Sequence, residues 1–198
     1  YYGTKKNGPL QNNRQTADFT SGTEFLVSAG FPAWTNGATV LAIHNTTTPN
    51  ALITFGVSYN PMCSTTAPTG APNCAPYDMM AFGGFGTFGL EMCDPNIGTC
   101  FQAYDSNPSG WVRSVGSIVP NGNPGYRIWA NGTEHAATGT NNPFPWAAQY
   151  PWTSPRKDTI IGWNGYRGTI AEIVVFNTTL TDASRTAVDN YLAGKWGI

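Results

Sequence analysis

The sequence predicts an all-β domain built as a sandwich or a barrel, and three observations lead to that fold class. Helical periodicity is nearly absent until about residue 181. The chain contains 23 glycines and 15 prolines, and turn signals built from them recur about every ten residues. Short runs rich in β-branched and aromatic residues lie between them, and this spacing is typical of sandwiches and barrels.

Ten segments between these turns have the composition of strands. In chain order they are 24–29, 39–44, 51–57, 79–82, 87–92, 100–104, 111–118, 126–130, 159–163 and 169–176. No internal repeat and no linker divides the chain, so residues 1–198 are predicted to form a single domain.

The strand predicted at 169–176 is apolar on both faces except at Glu172. Strict alternation assigns one face to Glu172 with Ile170, Val174 and Phe176, and the other face to Ala171, Ile173 and Val175. A strand that is apolar on both faces is covered on both faces. We expect the opposing sheet on one side and a helix on the other.

That helix is the one clear helical signal. Thr181 is a plausible N-cap, and Asp182 suits the positive end of the helix dipole. Gly194 and Gly197 fit a helix that ends in this region. The expected apolar stripe consists of Ala187, Val188, Tyr191 and Leu192.

Composition excludes several classes of function. Charged residues make up 11% of the 198 residues, with a formal net charge of -1. Lys5-Lys6 and Arg156-Lys157 are the only adjacent basic pairs, so no basic face for nucleic acid is visible. No apolar run approaches the roughly 20 residues of a membrane helix. Because the chain starts at Tyr1, we expect a processed product or a fragment, from which a targeting segment could have been removed.

The cysteines favour an oxidising compartment, either extracellular or exposed on a surface or virion. They are Cys63, Cys74, Cys93 and Cys100, and they allow three pairings. Zinc is the rival interpretation, but no Cys-x-x-Cys occurs and both histidines lie elsewhere. Cys63–Cys74 and Cys93–Cys100 are favoured because each pair closes a short loop. Three sequons add glycosylation candidates, at Asn45, Asn131 and Asn177.

The C-terminal region carries a resemblance to a known family. GWNGYRGTIAEIVVFN at 162–177, LTDASR at 180–185 and YLAGKWGI at 191–198 resemble the C-terminal signature of laminin-G-like, concanavalin A-like domains. Upstream, IWANG at 128–132 and DFTSG at 18–22 resemble two further elements of that family. The resemblance implies a two-sheet antiparallel jelly-roll sandwich with one short C-terminal helix. It also implies similarity to lectins, polysaccharide-binding modules and adhesion modules.

The sequence predicts a protein that is not an enzyme. Glucanases that share the implied fold carry a Glu-x-Asp-x-x-Glu strand, and no such run occurs here. The glutamates are scattered, at Glu24, Glu91, Glu134 and Glu172. His44 or His135 could belong to a Ser-His-Asp triad, but no nucleophile elbow appears.

Glu172 is the most conspicuous carboxylate, and two interpretations apply to it. The favoured one is a structural acceptor for loop N–H groups or for Arg127 or Arg167. The alternative is a catalytic or calcium-ligating group.

The richest candidate for a ligand site is the aromatic segment, 141–157. Trp146, Tyr150 and Trp152 lie there among prolines, and stiff aromatic side chains lose little entropy on binding. Three interpretations stay open: rings that stack on sugars, rings that hold a long loop against the sandwich, and anchors of a protein interface.

A second candidate cluster mixes acceptors with rings. It consists of Tyr104, Asp105, Asn107 and Trp111, and a plain Asx-capped turn is its favoured alternative. No cofactor is expected. Calcium is a candidate through the oxygens of Asp94, Asn96, Asp105 and Asn107, although their spacing resembles no calcium loop.

Two functions follow. The first is a non-catalytic extracellular or surface-exposed binding module that recognises carbohydrate. The second is a structural or adhesive component of a surface assembly, such as a virion, fibre or matrix, which binds protein neighbours through the aromatic segment. The low charge, unusual for a freely soluble monomer, motivates the second.

Overall fold

The strands form two antiparallel sheets. A computed structural model of the chain describes residues 6–21, 26–31, 36–48, 52–55, 79–82, 88–94, 99–105, 110–119, 126–135, 156–162 and 166–198. The strands are β1 (Lys6–Gln11), β2 (Arg14–Asp18), β3 (Leu26–Phe31), β4 (Ala38–Thr48), β5 (Ile53–Phe55), β6 (Met79–Phe82), β7 (Phe88–Asp94), β8 (Thr99–Asp105), β9 (Trp111–Ile118), β10 (Tyr126–Ala130), β11 (Thr133–His135), β12 (Arg156–Ile161) and β13 (Arg167–Phe176). A seven-stranded sheet has the order β1-β2-β13-β4-β9-β10-β11, and a six-stranded sheet has the order β3-β12-β5-β6-β7-β8.

The predicted fold class is confirmed as an all-β, two-sheet antiparallel sandwich with one C-terminal helix. All ten predicted strands exist, and three of them keep their predicted bounds: β6, β9 and β10. The prediction missed β1, β2 and β11. β1 contains Gly8 and Pro9, β2 is mostly polar, and β11 has only 3 residues. None of these carries the apolar alternation that marks a strand.

The sandwich has two ends, which we call end A and end B. At end A, β12 begins at Arg156 and β7 ends at Asp94. At end B, β12 ends at Ile161 and β8 ends at Asp105. The strand registers of the six-stranded sheet fix this assignment, since every neighbouring pair is antiparallel.

The helix α1, Asp182–Trp196, covers the outer face of the seven-stranded sheet. The core cluster at this interface consists of Leu41, Ile43, Val115, Trp129, Leu192 and Trp196. Strand β13 is therefore covered on both sides, as expected. In the part of the chain that the structure describes, no helix is long and apolar enough to cross a membrane.

The face that α1 buries differs from the predicted stripe. The buried helix residues are Arg185, Asp189, Leu192 and Trp196, whereas Ala187 is exposed and Tyr191 is 64% exposed. The prediction considered only apolar residues. Arg185 and Asp189 lie on the buried face because the sheet beneath them carries a tryptophan that stacks on Arg185 and an arginine that pairs with Asp189.

Both ends of α1 are capped. The Thr181 hydroxyl accepts a hydrogen bond from the Ser184 N–H at 3.2 Å, which confirms the predicted N-cap. The helix ends not at Gly194 but at Gly197, whose φ of 69° is left-handed and whose N–H bonds to the Ala193 carbonyl. The β1–β2 turn fastens this end, because Asn12 Nδ2 donates to the Lys195 carbonyl at 3.0 Å.

The predicted alternation along β13 is wrong at one place. Ile170 pairs with His44, and Glu172 pairs with Ile43. Over this step β13 advances by two residues while β4 advances by one, so Ala171 is the extra residue of a β-bulge. Ala171 consequently packs against the helix-side core, on the same side as Val174 and Phe176. The expected grouping placed it on the opposite face.

Candidate functional site

Glu172 is a structural acceptor, as the favoured interpretation held, but its partners are different. Lys195 Nζ donates to Glu172 Oε1 at 2.8 Å, and the Trp196 indole N–H donates to Oε2 at 2.7 Å. Both donors come from the last turn of α1. Arg127 instead pairs with Glu134 and Asp182. Both carboxylate oxygens of Glu172 thus fasten the helix to β13.

A stack of two guanidinium groups and one indole ring occupies the other half of the helix interface. Trp129 is 3% exposed, with Arg127 Cζ 4.6 Å and Arg185 Cζ 4.2 Å from its ring centroid. Arg127 also makes a bidentate pair with Glu134 through two bonds of 2.7 Å, and it reaches Asp182 at 2.8 Å. Hydrogen bonding to Arg127 lowers the pKa of Glu134.

The two buried charges of the helix belong to the same interface. Arg113 Nε lies 3.8 Å from Asp189 Oδ1, and burial raises the pKa of Asp189 against the opposing effect of the arginines. Arg185 Nε lies 3.9 Å from Asp182 and has no hydrogen-bond partner. These charges hold α1 against β9 and β10, on the outer face of the seven-stranded sheet.

His44 lies in a buried chain of polar groups. Its Nε2 is 2.7 Å from Ser114 Oγ, its Nδ1 is 2.7 Å from Thr46 Oγ1, and Thr46 in turn lies 3.1 Å from the Tyr166 hydroxyl. Burial lowers the pKa of His44 to about 3, so the ring is neutral at pH 7. In a Ser-His-Asp triad the second ring nitrogen of the histidine bonds to a carboxylate, whereas His44 Nδ1 lies against the Thr46 hydroxyl. Ser114, in the place of the nucleophile, is only 1% exposed. This Ser-His contact is part of the core.

The aromatic segment joins the six-stranded sheet at end A. Trp146, Tyr150 and Trp152 lie outside the described residues. The strand that follows them, β12, begins at Arg156, only four residues after Trp152.

The second predicted cluster is not brought together. Tyr104 and Asp105 close β8 on the six-stranded sheet, while Trp111 opens β9 on the seven-stranded sheet. Trp111 is half-buried and packs against the helix-side core, which is the far surface of the sandwich. Asn107 lies outside the described residues. Tyr104 and Trp111 therefore do not share a site.

Two of the four oxygen-bearing residues considered for calcium, Asp94 and Asp105, lie at opposite ends of the β7–β8 hairpin. In the β7–β8 hairpin, Asp94 pairs with Thr99 at end A, and Asp105 pairs with Phe88 at end B. Six residues of strand separate them, which is about 20 Å. Asn96 lies outside the described residues, and no group of three metal-ligating side chains occurs within those residues.

The backbone register reveals a polar pair on the outer face of the six-stranded sheet. Ile53 and Ile161 pair with each other and face the other sheet: Ile53 is 1% exposed, and Ile161 lines a cavity with Phe19 and Ile170. The alternate positions therefore belong to the outer face. One transverse row on it, which we call the outer row, contains Val27, Ile160, Thr54, Ala81, Glu91 and Gln102.

The outer row brings a carboxylate residue and an amide residue side by side. Glu91 and Gln102 are direct cross-strand partners on β7 and β8. Tyr104 lies two residues further along β8, on the same face, opposite Gly89. This pair was not among the predicted site residues, although the sequence carries a signal for it. A hairpin that sets Cys93 against Cys100 necessarily sets Glu91 against Gln102.

Cys93 and Cys100 are indeed direct partners in that hairpin. By register they lie on the same face as the outer row, one row closer to end A. Directly opposed residues of antiparallel strands have Cα atoms about 4.5–5.5 Å apart, within the range of disulfides. Cys63 and Cys74 lie outside the described residues.

The sequon asparagines differ in setting. Asn45 is half-buried between two partner strands in the centre of its sheet. Asn131 is an exposed turn residue whose Oδ1 accepts the Arg113 N–H at 3.0 Å. Asn177 is exposed directly after β13.

Comparison with solved structures shows the fold. The binding domain of botulinum neurotoxin serotype G matches with a TM-score of 0.65 at 8% identity, covering 98% of this chain and 46% of that one. The binding domain of botulinum neurotoxin DC in complex with SialylT matches with a TM-score of 0.61 at 10% identity, covering 96% and 45%. The T. cruzi calreticulin globular domain matches with a TM-score of 0.59 at 12% identity, covering 99% and 85%.

The chain thus spans about half the length of the two toxin domains. These likenesses show the fold, a jelly-roll sandwich, which fits the expected concanavalin A-like architecture. No family model matches the sequence, and no curated protein matches it.

Proposed function

We propose that this chain is a non-catalytic binding module that recognises carbohydrate on the outer face of its six-stranded sheet. The observation that carries the proposal is the direct cross-strand pairing of Glu91 with Gln102, with Tyr104 two positions away on the same face. The outer face of the other sheet is occupied by α1.

The three residue types supply the groups that sugar recognition needs. A carboxylate accepts hydrogen bonds from hydroxyl groups, and an amide both donates and accepts them. A tyrosine ring offers an apolar face to the C–H groups of a pyranose and adds a polar tip. Gly89, which is opposite Tyr104, adds no side chain of its own to that face.

The aromatic segment extends this proposed site. It enters the sheet at Arg156, whose register position is on the outer face, two rows from Glu91 and Gln102. Trp146, Tyr150 and Trp152 precede this strand in the chain, and their rings are proposed to contribute to ligand binding. The DC toxin domain solved with SialylT supports the proposal that this scaffold serves binding.

The spacing of the carboxylates argues against hydrolysis. Glu91 and Asp158 are the acidic residues placed on the outer face by register, and they are three strands apart. That separation is about 14 Å at strand spacing, beyond the roughly 5–9.5 Å that a glycosidase pair requires. Glu172, Glu134 and Asp182 are engaged by cations.

We also propose an oxidising compartment, extracellular or surface-exposed, with Cys93–Cys100 as a disulfide. The register of the two cysteines supports it. Mass spectrometry of the unreduced protein, digested after alkylation, tests the bond. A peptide pair linked through Cys93 and Cys100 is expected. Alkylated Cys93 and Cys100 would contradict both the bond and the inference of compartment.

A glycan array tests the function, run with calcium and again with a chelator. The wild-type protein is expected to bind a defined set of glycans. Glu91→Ala with Gln102→Ala should lose binding by tenfold or more. The exposed Glu134→Ala variant, on the other surface, is the matched control and should bind as the wild type does.

Three results would redirect the proposal. Loss of binding only in Trp146→Ala with Trp152→Ala would move the site to the aromatic segment. If the wild-type protein loses glycan binding in the presence of chelator, a metal ion is part of the binding site. No glycan binding under either condition would overturn the carbohydrate proposal in favour of a structural or adhesive role toward protein neighbours.

A further inference from the structure

Positive charge is distributed unequally between the two sheets. Seven of the ten lysines and arginines lie on the seven-stranded sheet or on α1: Lys6, Arg14, Arg113, Arg127, Arg167, Arg185 and Lys195. Lys5 lies outside the described residues, directly before β1. Only Arg156 and Lys157 belong to the six-stranded sheet.

The six-stranded sheet carries more acid than base. Its four acidic residues are Glu91, Asp94, Asp105 and Asp158. On the outer face, the register places Glu91 and Asp158 together with Arg156, while Lys157 alternates to the other face. The residues that the register of the described strands places on the proposed ligand face thus have a formal net charge of -1, and the one cation among them, Arg156, lies in the row nearest end A.

The segments that join these strands add no cation. Residues 32–35, 56–78, 83–87, 95–98 and 136–155 contain neither lysine nor arginine. The aromatic segment up to Pro155 is entirely free of charged residues. Whatever the positions of these segments, they bring no lysine or arginine to the ligand face.

An anionic sugar needs a cation in direct contact, and Arg156, the one cation that the register places on the described part of this face, lies two rows from Glu91 and Gln102. Carboxylate and sulfate groups lose their hydration when they are bound, and proteins offset that cost with arginine or lysine in direct contact. A face that carries excess negative charge also repels an anionic ligand at long range. Hydroxyl groups carry no such requirement, because neutral donors and acceptors suffice for them.

We propose that the ligand of the outer face is a neutral glycan, without sialic acid, uronic acid or sulfate. This inference rests on the proposed function and adds the chemical class of the ligand. Glu91 and Gln102, side by side in the outer row, mark the ligand position, and selectivity against acidic sugars comes from the excess of acidic residues on the described strands of this sheet.

The test compares matched oligosaccharides that differ only in an acidic group, by calorimetric titration at about 20 mM and about 300 mM salt. Each neutral oligosaccharide is expected to bind at least tenfold more tightly than its sialylated or sulfated counterpart at low salt. Neutral binding should change by less than about twofold between the two salt concentrations, because no ion pair forms with the ligand. Glu91→Gln should reduce the ratio of the affinities for neutral and acidic oligosaccharides, because it removes a negative charge that repels the acidic ones.

Two kinds of failure are distinguishable. Equal or tighter binding of the acidic oligosaccharides, weakened by salt, would overturn the neutral-ligand inference and leave the carbohydrate site standing. Absence of binding to any oligosaccharide would overturn the proposed function itself, and the inference with it.

Discussion

Replacing Glu172 by glutamine separates a structural carboxylate from a ligand-binding one. The wild-type carboxylate accepts one hydrogen bond from Lys195 and one from Trp196. Glutamine keeps one acceptor oxygen and turns an NH₂ group toward the remaining donor. The substitution therefore keeps one of the two hydrogen bonds and removes the other together with the negative charge, so the donor of the lost bond is left without an acceptor.

The size of the effect follows from burial and bond type. The side chains of Glu172 and Lys195 are 24% and 25% exposed, so solvent screens their attraction only in part. A hydrogen bond to a charged group contributes about 1.5–3 kcal/mol, and an unpaired buried donor costs a similar amount. We expect Glu172→Gln to lower the free energy of unfolding by about 2–3 kcal/mol. In a chain of this length that is a fall in Tm of about 5–10 °C.

Urea unfolding followed by tryptophan fluorescence measures this change, since Trp196 lies beside the substituted group. Glu134→Gln is the matched control: it removes the same charge from an ion pair whose glutamate side chain is 44% exposed. That control should cost only about 0.2–1 kcal/mol. A double-mutant cycle with Lys195→Met then isolates the coupling within the ion pair.

Two results would refute this reasoning. One is an equal loss of stability in Glu172→Gln and Glu134→Gln. The other is a Glu172→Gln variant with wild-type stability that no longer binds its glycan or a calcium ion, which would make Glu172 a ligand group after all.

Three further predictions concern the core and the surface. Because the pKa of His44 is about 3 in the fold against 6.5 unfolded, the unfolded chain takes up the proton first. The free energy of unfolding should fall by about 2 kcal/mol from pH 8 to pH 5, measured by urea unfolding, and equal stability at both would contradict the buried site. Gly168→Ala places a Cβ 2.5 Å from the Asn45 carbonyl oxygen and should lower the free energy of unfolding by about 2 kcal/mol or more. Gly194→Ala meets no atom within 4 Å and should raise the free energy of unfolding by about 0.5–1 kcal/mol. Shifts in Tm of the same sign for the two variants would contradict this packing. Expression in a glycosylating host should modify Asn177 and leave Asn45 unmodified in peptide maps, and a glycan on Asn45 would contradict its place in the sheet.

The sequence predicts the strands of this fold well where composition and alternation agree. β9 and β10 have their predicted bounds because β-branched and apolar residues fill them between clear turn signals. The β1–β2 hairpin escaped prediction because its stability comes from distant contacts. Gln11 and Arg14 donate to carbonyls at the end of α1, more than 180 positions away in the chain. The local sequence pattern of a strand does not indicate contacts between residues so far apart in the chain.

The helix shows a second limit of pattern reasoning. Its caps were predicted, since Thr181 and Gly197 act locally. Its buried face was not, because Arg185 is buried through stacking on Trp129, a residue of another strand. Burial of charge depends on partners that only the tertiary structure brings together.

The candidate site was predicted in parts. Tyr104 was identified, but it was grouped with Trp111, which the topology places on the other sheet. Glu91 was considered only as one of the scattered glutamates, while its neighbour across the hairpin is Gln102. Pairing register, rather than distance along the chain, decides which residues share a face.

The most direct test of the central claim is to map the amide chemical shifts of the protein by NMR while a neutral oligosaccharide selected on the array is titrated in. The largest ligand-induced shifts are expected at Gly89, Glu91, Gln102 and Tyr104, with α1 unaffected. Shifts centred on α1 and the β10–β11 turn, with β7 and β8 unchanged, would contradict the account and place the ligand on the opposite surface of the sandwich.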